Sequence, residues 1–156
     1  MKLAEALAER ADATRRVEQL RSRIVGNARF QEGETPPEDA AQLLTEAGEA
    51  LDRLETLIRR INRTNSAADM GPDGTVTDAL ARRDVLRLRH AVVTAAADAA
   101  AGNDQREYGR QLRSELVILP ALPVAELRAQ ADVLAREIRE LDMRIQRTNW
   151  EVDLLD

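Results

Sequence analysis

The stretch 40-AAQLLTEAGEALDRLETLIRRINRTN-65 decides the fold. Its apolar residues Ala40, Leu44, Ala47, Leu51, Leu54, Ile58 and Ile61 recur at spacings of four and three, the heptad signature of an amphipathic helix. Glu46, Glu49, Asp52 and Glu55 occupy its early half and Arg59, Arg60 and Arg63 its end, an order that complements the helix dipole. Upstream, Thr35-Pro36-Pro37-Glu38 reads as an N-cap threonine, a proline at the first helical position and a glutamate closing a capping box. The stretch therefore predicts a helix over 36–65.

The rest of the chain follows the same period. Leu3, Leu7, Val17, Leu20 and Ile24 predict a first helix over about 2–27, stopped by Gly26-Asn27. Gly71, Pro72 and Gly74 forbid helix in the turn beyond Asp69. Thr75 or Thr77 then caps a third helix over 77–101, with seam Ala81, Val85, Leu88, Val92, Ala95 and Ala99. Leu86 and Val93 widen its apolar face. A fourth helix over 123–149 carries Leu127, Ala131, Leu134, Ile138, Leu141 and Ile145.

Between helices three and four, Glu115-Leu116-Val117-Ile118-Leu119 is a β-branched apolar run ahead of Pro120 and Pro123, and it predicts a short strand that could pair near Phe30. An internal echo joins Arg60-Ile61-Asn62-Arg63-Thr64-Asn65 to Arg144-Ile145-Gln146-Arg147-Thr148-Asn149, and Leu43, Ala47, Leu54 and Leu57 align with Leu127, Ala131, Ile138 and Leu141. Duplication explains it, and so do two helices that end against one pole. The expectation is a single all-α domain over 1–156. It is an elongated antiparallel four-helix bundle, or coiled-coil-like hairpins, with a small β element at one pole. Helices of this length reach about 38 Å.

Composition narrows the function. The 156 residues are 44% hydrophobic but only 2% aromatic, so Ala, Leu, Ile and Val must build the core. A net charge of -5 argues against non-specific nucleic-acid binding. With no cysteine, disulfides, thiolate metal sites and cysteine nucleophiles are excluded. The charged opening Met1-Lys2-Leu3-Ala4-Glu5 does not read as a signal peptide, and the small-apolar run Ala91–Ala101 is too short to span a bilayer. The expected compartment is the cytoplasm, with no membrane partner.

Catalytic chemistry is hard to find. The one histidine, His90, has no acidic residue three positions before it, which removes the Glu-x-x-His pair of di-iron bundles. Glu46 with Glu49 and Glu137 with Glu140 form Glu-x-x-Glu pairs that could hold a divalent cation, but Thr75 stands where a glutamate should precede Asp78. Asp69 to Leu80 lacks the ligands of a calcium loop. No catalytic residue, metal site or cofactor is assigned. One pole gathers Arg63, Asn65, Asp73, Thr75, Asp78, Arg147, Asn149 and Trp150, which reads either as a ligand site or as helix capping with Trp150 plugging the bundle.

Met1–Leu7, Asn27–Pro36 around Gln31-Glu32-Gly33-Glu34, Ile61–Asn65, Asp73–Asp84 and Arg139–Trp150 together resemble, over nearly the whole chain, a small bacterial family of unknown function often labelled septicolysin. That label implies a cytolysin; the family carries no established activity. The residues themselves point to a non-enzymatic interaction or scaffold protein that forms a homo-oligomer. Leu116, Val117, Ile118, Leu119, Leu86 and Val93 are the expected interface. The alternative is a metal-dependent hydrolase using acidic residues of helices two and three.

Overall fold

A computed structural model describes residues 1–102 and 116–156, and these form four helices: α1 Leu3–Asn27, α2 Ala40–Ala67, α3 Val76–Ala100 and α4 Val124–Glu151. Each expected helix is present. The start of α2 differs. Its cap is Asp39, whose carboxylate accepts from the N–H groups of Ala41 and Gln42 at 2.9 and 3.3 Å. Glu38 turns away from the helix start and forms an ion pair with Arg23 of α1, while its N–H donates to Asn27 Oδ1 at 3.0 Å. An aspartate beside the first turn satisfies orphan amides that Thr35, four residues earlier, does not reach.

The helices pair into two hairpins, α1 with α2 and α3 with α4. Leu20, Leu43 and Ala50 pack the first; Leu86, Val93, Ala131, Leu134 and Leu141 pack the second. A third cluster of Leu3, Ala6, Ile61 and Leu154 joins them at one pole. Among the described residues, the hydrogen bonds and ion pairs between the hairpins also lie there. Leu3 N–H donates to Val152 O, Leu155 N–H to the buried Thr64 hydroxyl at 2.9 Å, and Arg60 to Leu155 O at 3.0 Å.

The two hairpins are built alike. α2 and α4 both end with an extended cap residue, Ala68 or Val152, whose N–H reaches the carbonyl of Thr64 or Thr148. Each threonine hydroxyl also donates four residues back, to Arg60 O or Arg144 O. Val76 N–H donates to Ala68 O as Leu3 N–H does to Val152 O, and the isolated bridges Asp69–Thr75 and Lys2–Asp153 match in the same way. Superposing these features aligns Ile61 with Ile145 and Leu3 with Val76, all four buried. The echo in the sequence is thus a repeated hairpin that ends twice against one pole.

Two expectations are corrected. Leu116–Leu119 forms no strand and is exposed along its length; Glu115 lies outside the described residues. Those two isolated bridges are the only β pairing among the described residues. The second correction concerns the seams. In α2 the buried row is Leu43, Ala50 and Ile61 with half-buried Ala47, Leu54 and Leu57, so Leu44, Leu51 and Ile58 face outward. In α3 the buried row is Val76, Ala79, Leu86, Val93 and Ala97, while the whole expected seam from Ala81 to Ala99 is exposed. Both helices carry two apolar rows about 100° apart, and the hairpin partner buries only one.

Candidate functional site

At the pole, Asp73 sits in a short 3-10 turn, Gly71–Asp73, with its side chain only 7% exposed. Arg144 of α4 forks onto it, Nε to Oδ2 at 2.6 Å and Nη2 to Oδ1 at 3.1 Å, and Arg82 adds a contact at 3.3 Å. The hydrogen bonds from Arg144 hold the Asp73 carboxyl below its usual range, against the opposing effect of burial. Thr75 and Asp78 form a reciprocal capping box. The Asp78 N–H donates to Thr75 Oγ1 at 3.2 Å, and the Thr75 N–H donates to Asp78 Oδ2 at 2.8 Å. That backbone donor lowers the Asp78 pKa.

The other expected pole residues scatter. Arg63 donates to Asp156 O at 2.9 Å. Asn65 borders a crevice with Asn62, Ser66, Thr77 and Leu80, where α2 crosses α3. Arg147 is on the surface, and Asn149 is buried with its Oδ1 unpartnered. Trp150 is 62% exposed, so it does not plug the bundle. Asp73, Thr75 and Asp78 are engaged in holding the fold. Arg144 and Arg82, the partners of Asp73, were not among the expected residues. The matching Arg60 at the end of α2, which grips the segment after α4, is the signal that marks Arg144.

The carboxylates of the hydrolase alternative do not converge. Glu46 pairs with Arg16 at 3.4 Å, Glu49 is exposed, and Glu140 pairs with Arg136 at 3.3 Å. No three His, Asp or Glu side chains gather among the described residues.

The apolar surface is more informative. Leu86 and Val93, expected between copies, are buried inside the second hairpin and are unavailable to a partner. Leu116–Leu119 is exposed, with Ile118 and Leu119 beside Ala96, Ala100 and Val124 at the far end of that hairpin. A larger apolar surface lies on α2 and α3. Leu44, Leu51 and Ile58 on α2 and Val85, Leu88 and Val92 on α3 are each 36% to 69% exposed. The repeated hairpin supplies an internal comparison. Where α2 has Leu44, Leu51 and Ile58, α4 has Arg128, Ala135 and Asp142; where α3 has Val85, Leu88 and Val92, α1 has Asp12, Arg15 and Gln19. The rows of α2 and α3 are apolar, whereas their equivalents are polar apart from Ala135, and Arg128 and Asp142 are closed by ion pairs to Asp98, Arg83 and Arg87 of α3.

Two matched helical hairpins joined at one pole, with an exposed apolar row on α2 and another on α3, define the class of this protein. The chain belongs to a family described as a family of unknown function (DUF6847), whose model matches residues 10–154. It is similar to the crystal structure of a functionally unknown conserved protein from Corynebacterium diphtheriae, at 39% identity over 99% of each chain with a TM-score of 0.88. No curated protein matches. Neither description names a cytolysin. No helix among the described residues is long and apolar enough to cross a membrane.

Proposed function

We propose that this chain is a non-enzymatic interaction protein, a scaffold that works as a homo-oligomer. The observation that carries the reading is the exposed apolar row on each of two helices, Leu44, Leu51 and Ile58 on α2 and Val85, Leu88 and Val92 on α3. Exposed apolar rows of this length are uncommon on proteins that act alone.

Sedimentation or light scattering at micromolar concentration tests the reading. A mass that is a multiple of 17.3 kDa is expected, and a mass of one chain would reject it.

A further inference from the structure

We propose that the first hairpin holds a binding site for a small carboxylate with an apolar body, seated between α1 and α2 where its core lacks a layer. The site lies within one chain and does not depend on self-association.

The repeated hairpin reveals the missing layer. Aligning Leu3 with Val76 and Ile61 with Ile145 puts Ala13 at the place of Leu86 and Ala50 at the place of Leu134. In the second hairpin both leucines belong to one continuous core, with Ala79, Val93 and Leu141. The core of the first hairpin is split. Leu3, Ala6, Ile61 and Leu154 pack at the pole, and Leu20, Leu43 and Ala50 pack separately beyond it. Ala13 and Ala50 stand at the break, each shorter than its counterpart by an isopropyl group. Closer approach of the helices would seal such a gap. Instead a cleft of about 430 Å³ remains, lined by both alanines and by Leu57. That volume is within the range of small-molecule sites. A hairpin that had only to pack against itself would fill this layer, as its repeat does.

The rim selects the charge of the occupant. It carries Glu9, Asp12 and Arg16 from α1, and Arg53 and Arg60 from α2. Asp12 pairs with Arg15 and Arg16 with Glu46, both partners lying outside the cleft. Arg60 is held by Leu155 O and the Asp156 carboxylate. Among the described residues, Glu9 and Arg53 are left without an ion pair, one on each lip, and both are exposed. Beyond Thr56 the α2 wall continues through Arg59, Arg60 and Arg63, with Asp156 as the carboxylate there. An anionic head therefore belongs on the α2 lip, where the planar guanidinium of Arg53 suits a carboxylate. Glu9 repels it from the opposite lip, and the apolar body lies over Ala13 and Ala50.

Calorimetric titration of the full chain with decanoate, kept below its micelle concentration, tests the site. A saturable isotherm with one decanoate per chain is expected. Decyltrimethylammonium has the same tail and the opposite charge, and it should bind about tenfold more weakly or less. Arg53→Gln should weaken decanoate about tenfold and Glu9→Gln should tighten it, whereas Arg147→Gln on the surface of α4 should change nothing. Ala13→Leu with Ala50→Leu copies the layer of the second hairpin, and it should raise the melting temperature and abolish binding. A melting temperature lowered by these leucines would mean that the layer is already full, which overturns the site. Decanoate binding that survives them also overturns it, and would put the tail on the exposed rows of α2 and α3 instead. Equal affinity for the cationic tail, or no decanoate isotherm, rejects the assignment as well.

Discussion

Leu86 and Leu88 are two positions apart on α3, yet Leu86 is 9% exposed in the core of the second hairpin and Leu88 is 67% exposed on the outer row of the helix. The two leucines separate the buried row of α3 from its exposed one. Leu86→Ala should destabilise the isolated chain by about 2–5 kcal/mol through lost burial and a cavity. Leu88→Ala should change it by no more than about 0.5 kcal/mol. Urea titrations at concentrations where the mass is that of one chain make the comparison. Equal shifts for the two variants would contradict the register of α3.

The Asp73–Arg144 pair gives stability a pH dependence of known sign. The folded carboxyl titrates below its ordinary value, so the pair's contribution is complete above the unfolded pKa of about 4 and is lost as pH falls through the folded value. Asp73→Asn should cost about 1–2 kcal/mol at neutral pH, a range reduced because Arg144 is partly exposed. The gap between wild type and variant should close as the pH drops well below 4. A gap of constant size across an acid series of melting curves would show that the pair is not the source.

Gly74 has a positive φ of 80°, and a Cβ added there would lie 2.6 Å from Asp78 Oδ2. Gly74→Ala should therefore destabilise more than Thr75→Ala, for which loss of the cap hydroxyl costs about 1 kcal/mol. Adding Asp78→Ala to Gly74→Ala should cost less than Asp78→Ala costs alone, because it removes the clash with Oδ2 while the Asp78 Cβ at 3.0 Å and the backbone strain remain. A thermal-melt cycle over the three changes reads this out. Strict additivity would mean that Gly74 and Asp78 do not meet.

Divalent cations provide a test against the hydrolase alternative. Glu46 is paired with Arg16, and no third carboxylate joins Glu46 and Glu49 among the described residues. Mg²⁺ or Mn²⁺ should leave the melting temperature unchanged, and Glu46→Gln with Glu49→Gln should not alter that result. A saturable rise with metal that the double substitution abolishes would restore the hydrolase.

The four helices were legible because each carries a sustained apolar period, and the stop signals at Gly26-Asn27 and Gly71-Pro72 are local chemistry. Which apolar row lies inside was not legible for α2 and α3. Their rows share a wide arc, and the choice depends on where α1 and α4 lie, which no local pattern encodes. α4, with polar residues at Arg128 and Asp142 beside its core row, offered one row, and the structure buries it. The cap of α2 was not legible because Thr35 and Asp39 both precede a helical run. The run Leu116–Leu119 has strand composition, but composition supplies no partner edge. At the pole, Thr75 and Asp78 were legible as a cap, whereas the grip of Arg144 on Asp73 spans 71 residues of sequence.

The pole also has a mechanical consequence. Each hairpin is a stiff rod of about 40 Å, anchored at one end by the cluster of Leu3, Ala6, Ile61 and Leu154. A rotation of only about 5° at that anchor carries the far tip through roughly 3 Å at this helix length. The distance between the tips is therefore an amplified gauge of packing at the pole, and a spectroscopic ruler spanning them would register changes there that the helices themselves do not undergo.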